Sequence, residues 1–229
     1  MPHIASQISA LRERVDRSLI RCNRPVSSLQ ILAVSKTQSA AAIEAAYEAG
    51  FEHFGENYLQ EALLKIQQLQ HLSLQWHYIG TLQSNKTSQV AQHFDWFHTL
   101  DRLKIAQRLS QQRSEHLPDL NVCIQVNIDN EPQKGGVSLA QLDELADAVI
   151  QLPRLSLRGL MAIPRKDSSL EQRRDGFNRM AKTLETLKGK IPGLDTLSMG
   201  MSEDLELAIE HNATIIRIGT AIFGPRKPK

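Results

Sequence analysis

The sequence has few cysteines, no excess of charge of one sign and no long hydrophobic run, and each absence excludes a class of protein. Its 229 residues include two cysteines, Cys22 and Cys123, which lie far apart and form no CxxC pattern. Neither a disulfide framework nor a cysteine zinc site is therefore indicated. Lys and Arg total 27 against 25 for Asp and Glu, so we expect no nucleic-acid partner. No apolar run reaches the length that crosses a membrane, and we expect a cytoplasmic protein.

Several familiar catalytic motifs are also missing. The chain contains no GxGxxG, Walker A, GxSxG or HExxH motif. Its eight histidines show no paired spacing, so we interpret His77, His93 and His98 as core or surface residues and expect no metal site. Charged residues such as Arg12 and Asp16 are spread through the first 22 residues, which does not match a secretory signal peptide.

Two cations stand beside or inside apolar, strand-like runs. Lys36 follows the run at positions 31–34, which indicates a strand buried on both faces of a parallel sheet. Arg217 interrupts the run at 214–218, and small residues follow it. Because α/β folds place their chemistry at strand ends, the two cations indicate an anionic ligand that also carries a carbonyl. The structural alternatives are a lysine that extends into solvent and an arginine buried against a carboxylate.

Short apolar runs alternate with longer periodic ones along the chain. The predicted strands cover residues 29–34, 52–54, 76–79, 96–99, 121–126, 155–161, 196–198 and 214–218. An opening helix carries apolar residues from Ile4 to Leu19 on one face. Eight strand–helix units predict an α/β fold, a single (β/α)8 TIM barrel over residues 1–229 with an extra N-terminal helix. The alternative is an open doubly wound sheet, which needs fewer strands.

Helix starts are predicted from capping residues. Ser138 and Gln141 form a capping-box pattern, and Asp101 is predicted to cap the helix that begins directly after it. Ser202 is predicted to begin the helix after the seventh strand. Asn57 has two interpretations, as a helix cap or as a site residue.

The residues just past each strand form the active face of a barrel. Lys36 and Asn57 follow the first two strands. Glycines and small hydroxyl residues follow the seventh and eighth strands, where barrels frequently bind phosphate through backbone N–H groups. A lysine and a phosphate site on one barrel mouth suggest pyridoxal 5′-phosphate (PLP) held as a Schiff base. Taken alone, each of these turns is also an ordinary strand-to-helix connection.

Six short motifs lie in or directly after the predicted strands. They are AVSK at 33–36, FGENY at 54–58, HYIGTLQSNK at 77–86, GLM at 159–161, LSMGMS at 197–202 and RIG at 217–219. Together they resemble the pyridoxal phosphate homeostasis protein family, and the resemblance extends from about residue 29 to 223. The motifs at 80–86 and 198–202 are highly specific as a pair.

The resemblance implies the barrel of the fold-type III PLP enzymes, similar to the N-terminal domain of alanine racemase. The cofactor-binding residues that it implies are Lys36 at the Schiff base, Asn57 beside the ring, Arg217 at the pyridine nitrogen, Ser198, Gly200, Gly219 and Thr220 around the phosphate, and Met199 among them. The family is regarded as vitamin B6 carriers or regulators without an established reaction. The resemblance therefore implies intracellular PLP homeostasis, with no catalytic residue assigned.

The residues themselves also argue against turnover. A permanently charged arginine at the ring nitrogen disfavours the proton that electron-sink catalysis needs. Fold-type III racemases draw a second acid or base from another domain, which this length does not accommodate. The alternatives are a PLP-dependent amino-acid racemase or lyase, and a barrel aldolase or hydrolase that uses Lys36 on a sugar phosphate. We expect a monomer, and any contact with PLP-requiring enzymes is expected to be transient.

Overall fold

Eight parallel strands close into a barrel in chain order, with the last strand pairing back to the first. The computed structural model describes residues 2–165 and 167–225. The strands are β1 Gln30–Val34, β2 His53–Glu56, β3 Gln75–Tyr78, β4 Trp96–Leu100, β5 Leu120–Gln125, β6 Leu155–Met161, β7 Thr196–Ser198 and β8 Ile215–Ile218. Closure confirms the predicted barrel and shows that the open-sheet alternative was wrong, because an open sheet ends in two unpaired edges.

Helices follow the strands and form the outer layer. They are α1 Pro2–Arg21, α2 Ala40–Glu48, α3 Leu59–Gln68, α4 Thr87–His93, α5 Leu103–Gln112, α6 Leu139–Val149, α7 Leu170–Lys188, α8 Leu205–Glu210 and α9 Thr220–Phe223. The predicted extra helix is α1, which precedes the barrel and packs against α8 and α9. Ile8, Leu11 and Leu19 on its apolar face are buried in the main hydrophobic core.

The outer face of the barrel wall is apolar, as expected for parallel strands covered by helices, whereas its inner face also carries polar side chains such as His77 and His98. The larger core lies between sheet and helices and includes Phe54, Phe97 and Phe177, all fully buried. A smaller apolar cluster comprises Leu32, Ile79, Trp96, Cys123, Met161 and Ile215. Over the described ranges, no helix combines the length and hydropathy needed to span a bilayer.

Two predicted helix starts were wrong and one is confirmed. α5 begins at Leu103 with Arg102 as its cap residue, because the Asp101 carboxylate pairs with the Arg102 guanidinium (2.6 Å) instead of the helix backbone. α8 begins at Leu205, after a turn in which Asp204 accepts a hydrogen bond from the Met201 N–H (2.6 Å). At α6 the capping box is present.

Candidate functional site at the barrel mouth

Lys36 lies at the carboxyl end of β1, two residues beyond Val34. The turn that carries it continues through Thr37, whose φ of 65° is left-handed. Lys36 is half-buried and lines a small pocket together with Gly219 and Thr220. Three of the predicted site residues, drawn from opposite ends of the chain, therefore lie together at the junction of β1 and β8.

The β8–α9 junction supplies backbone donors beside this lysine. Gly219 follows β8 directly and caps α9, and its carbonyl accepts from the N–H groups of Ile222 (3.0 Å) and Phe223 (2.9 Å). The N–H groups of Thr220 and Ala221 come before the first intrahelical bond and so point out of the helix start. Such outward N–H groups suit an anion.

The β7–α8 connection packs against the same part of the mouth. Ser198 and Met199 are fully buried, and Gly200 adopts a φ of 92° while its carbonyl accepts from the Arg217 backbone N–H (2.9 Å). A Cβ on Gly200 would lie 2.4 Å from the Ala208 Cβ of α8. Glycine is therefore required here both for its backbone conformation and for the close approach of α8.

Arg217 is a buried cation with neutral hydrogen-bond partners. Its guanidinium donates to Ser198 O (2.7 Å), Ser198 Oγ (2.9 Å) and Ala162 O (2.9 Å). Desolvation lowers its pKa to about 10, which keeps it charged at neutral pH. No carboxylate of the described chain forms a salt bridge with it. Only three of the five N–H donors of a guanidinium are thus engaged within the described chain.

Asn57 holds a polar atom that the protein leaves unpaired. Its Nδ2 makes a long contact with Ile79 O (3.5 Å), and its Oδ1 is buried with no hydrogen-bond partner among the described residues. Gly80 packs against its backbone so closely that a Cβ would lie 2.2 Å from the Asn57 carbonyl oxygen. The helix cap at this turn is Tyr58, so Asn57 does not cap α3. A buried amide oxygen with no partner among the described residues is suited to a ligand or an ordered water.

Sequence reasoning missed a buried ion pair directly behind Lys36. Glu56 accepts from Ser35 Oγ (2.6 Å) and from Lys65 Nζ (2.8 Å), and Lys65 also donates to Ser35 O (2.8 Å) and pairs with Glu61. Desolvation raises the pKa of Glu56, and the attraction of Lys65 opposes that rise. A signal was available, because Lys65 occupies the same face of α3 as the buried residues Leu59 and Ala62.

Sequence reasoning also missed a row of hydrogen-bonded histidines inside the barrel. The sequence predicts only that His77, His93 and His98 are core or surface residues; the structure buries His77 and His98 fully and leaves His93 exposed. The histidine spacing carried no signal, because the rings that meet come from β2, β3 and β4. His77 Nδ1 lies 2.9 Å from His98 Nε2, and His98 Nδ1 lies 3.0 Å from Ser198 Oγ. The Ser198 hydroxyl therefore faces the barrel interior.

The closed parallel barrel carries a lysine, a buried arginine and a Gly-Thr turn at its mouth. These features define a class of barrel proteins, and comparison with known families identifies it. Residues 7–227 match the family described as "Alanine racemase, N-terminal domain". A "Pyridoxal phosphate homeostasis protein" of Escherichia coli K12 is 51% identical over 229 residues, covering 99% of this chain and 98% of that one. The protein of the same name from Pseudomonas aeruginosa PAO1 is 51% identical over 226 residues, covering 99% and 97%. The chain belongs to the pyridoxal phosphate homeostasis protein family, within the broader alanine racemase N-terminal domain family.

Solved structures show the same architecture. PipY of Synechococcus elongatus PCC7942, in a structure described as having PLP bound, superimposes with a TM-score of 0.85 at 38% identity, covering 96% of this chain and all of that chain. Alanine racemase from Corynebacterium glutamicum gives a TM-score of 0.68 at 15% identity, covering 97% of this chain and 60% of that one. This last likeness concerns the fold alone.

Proposed function

We propose that this protein binds PLP at the barrel mouth as a Schiff base on Lys36, and that it stores or delivers the cofactor in vitamin B6 homeostasis. The observation that carries the proposal is that Lys36, Gly219 and Thr220 line one pocket, although 183 residues separate Lys36 from Gly219 in the chain. Relatives that are 51% identical carry the homeostasis name, and PipY at 38% identity has a structure with PLP bound.

The residues at the mouth fit the chemical groups of PLP. The outward backbone N–H groups at the start of α9 and the Thr220 hydroxyl would bind the phosphate, supported by the Gly200 backbone, whereas the Met199 N–H already donates to Ile215 O (3.0 Å). Ser198 would contribute through its backbone, since its hydroxyl already contacts His98 and Arg217. PLP supplies an aldehyde that condenses with an amine, and the half-buried Lys36 is the amine at this pocket.

The remaining polar groups would hold the ring. Asn57 would lie beside it, where the unpaired Oδ1 gains a partner. Arg217 would donate one of its unengaged N–H groups to the pyridine nitrogen, which keeps that nitrogen unprotonated. An unprotonated ring is a weaker electron sink, so these residues favour holding the cofactor over turning over amino acids.

The spectrum of the purified protein tests the proposal. We expect a yellow chromophore that borohydride fixes to Lys36, visible by mass spectrometry as a pyridoxyl adduct on that residue alone. Lys65 is the internal comparison, because it is a second buried amine near the mouth but is engaged by Glu56 (2.8 Å). An adduct on another lysine with Lys36 unmodified, or a protein that stays colourless with added PLP, would overturn the assignment.

Two further measurements test whether the protein turns over amino acids and whether it is a monomer. Deuterium exchange at the α-carbon of alanine should stay at the background rate at full PLP occupancy, and rapid exchange would make the protein a racemase-type enzyme. We also propose a cytoplasmic monomer whose contacts with PLP-requiring enzymes are transient. Light scattering should give the mass of one 25.7 kDa chain, and a stable dimer would contradict that assignment.

A further inference from the structure

A chain of hydrogen bonds crosses the barrel interior and ends at Arg217. It begins at His53, the half-buried first residue of β2, whose Nδ1 lies 3.0 Å from His77 Nε2. His77 Nδ1 lies 2.9 Å from His98 Nε2, and His98 Nδ1 lies 3.0 Å from Ser198 Oγ. Ser198 Oγ in turn accepts from Arg217 (2.9 Å). The chain thus connects the face where the strands begin with the cation near the mouth.

Arg217 fixes the direction of every hydrogen bond in this chain. A guanidinium can only donate, so Ser198 Oγ accepts from it and directs its own proton to His98 Nδ1. A neutral imidazole that accepts at Nδ1 carries its proton on Nε2, so His98 donates to His77, and His77 donates to His53 by the same rule. All three histidines are therefore Nε2–H tautomers, with their lone pairs on the side of Arg217.

The opposite direction would leave a buried group unsatisfied. If His98 Nδ1 donated to Ser198, the hydroxyl proton would have no acceptor among its partners in the described chain, which are Arg217 and His98. Burial also keeps the rings uncharged: desolvation lowers the pKa of His98 to about 3 and that of His77 well below its usual value. His77 is held further by stacking on Trp96, with ring centroids 5.3 Å apart.

Arg217 needs this support because its hydrogen-bond partners in the described chain are all neutral oxygens, and the charge of Asp204 acts on it without a salt bridge. Aligned lone pairs place partial negative charge towards the cation, as the carbonyl end of a helix does. We infer that His53, His77 and His98 are positioning residues: their one-way chain offsets the charge of Arg217 without neutralising it and leaves its remaining N–H groups for an acceptor atom of the ligand. The role of the remaining N–H groups towards a ligand rests on the proposed function, whereas the direction of the hydrogen-bond chain does not.

The tautomers can be read directly by NMR. Long-range ¹H–¹⁵N correlation on the ¹⁵N-labelled protein near neutral pH should show an Nε2–H tautomer for His53, His77 and His98. Each would be assigned by the signals lost in a single His→Gln variant. An Nδ1–H tautomer at His77 or His98 would overturn the inference, whether or not the protein binds PLP.

A pair of variants separates hydrogen bonding from packing. His98→Asn places an amide oxygen near the original Nδ1 and keeps the acceptor for Ser198, whereas His98→Leu removes the acceptor but fills more of the space. We expect His98→Leu to bind added PLP about ten-fold to a hundred-fold more weakly, the loss of one hydrogen bond in a charged network, and His98→Asn to stay near the parent.

A packing role predicts the reverse order, because Asn leaves the larger cavity, and that order would contradict the inference. Hydrogen exchange of the Arg217 Nη1–H groups, which donate to Ser198, provides a readout that needs no PLP and is assigned by its loss in Arg217→Lys. We expect it to quicken at least about ten-fold in His98→Leu and little in His98→Asn, in line with the loss of one hydrogen bond. Equal exchange in the two variants would overturn the inference even in a protein that proves not to bind PLP.

Discussion

Lowering the pH from 7 to 5 should destabilise the fold, by about 2 kcal/mol through His98 and further through His77. Both side chains are fully buried, and desolvation holds the pKa of His98 at about 3 and that of His77 well below its usual value. In the unfolded chain a histidine titrates near its reference pKa of about 6.5. Because their pKa values are lower in the folded state than in the unfolded chain, acidification favours the unfolded chain.

The sign follows from which state binds protons. Below about pH 6.5 the unfolded chain takes up a proton at each histidine that the folded protein refuses, so stability is full above that pH and falls as the solution is acidified. Between pH 7 and 5 this costs about 2 kcal/mol at His98, and His77 adds to the loss with the same sign. The loss at His98 should continue towards its folded-state pKa of about 3.

Urea unfolding at pH 5, 6, 7 and 8 measures this dependence. His98→Asn should lose about 2 kcal/mol less than the parent between pH 7 and 5, because it removes the His98 imidazole. His93→Asn is the matched control at an exposed histidine and should follow the parent. Glu56, whose pKa is raised by burial, titrates with the opposite sign, and the comparison of variants cancels its contribution. Parallel curves for the parent and His98→Asn would refute the reasoning.

Three further predictions concern the mouth. Lys36→Ala should abolish the borohydride-fixed adduct while the unfolding midpoint stays near that of the parent, because the half-buried side chain leaves no core cavity; a persisting adduct would refute the lysine assignment. Thr220→Val should weaken PLP retention in dialysis by about 1.5–3 kcal/mol, the worth of a hydrogen bond to a charged group, whereas the exposed Thr186→Val should retain PLP like the parent. Gly200→Ala and Gly193→Ala both place a Cβ at a left-handed φ (92° and 96°), but only Gly200 has a neighbour too close for it. Gly200→Ala should therefore cost about 1–3 kcal/mol more in urea unfolding, and equal losses would contradict the packing.

The fold could be predicted from the sequence because its signals are local. Each strand is a short apolar run, and the helices carry a repeating apolar face, so eight alternations suffice to indicate the closed barrel. The predicted strand limits lie within two residues of those observed, for example 52–54 against His53–Glu56. The wrong helix starts show the limit of residue type: Asp101 and Ser202 are good capping residues, but Asp101 pairs with the neighbouring Arg102, and Asp204 closes the turn before α8.

The site could be predicted only in part because its remaining features depend on contacts between distant strands. Lys36 and Arg217 were visible as charges that conflict with an apolar surrounding. The histidine row was not, since rings 24 and 21 residues apart share no spacing rule and meet only when β2, β3 and β4 lie side by side. The direction of the Ser198 hydroxyl likewise depends on partners 100 and 19 residues away.

Arg217 connects the fold with the proposed role. A carboxylate beside it would neutralise the guanidinium and occupy its donors, while an unsupported buried guanidinium would be costly. Arg217 has an intermediate arrangement: its hydrogen bonds go to carbonyl and hydroxyl oxygens, the charge of Asp204 acts on it without a salt bridge, and two of its five donors are unengaged within the described chain. Such a cation can bind an acceptor atom firmly but cannot pass a proton to it, which is the behaviour required of a residue that retains a cofactor without activating it.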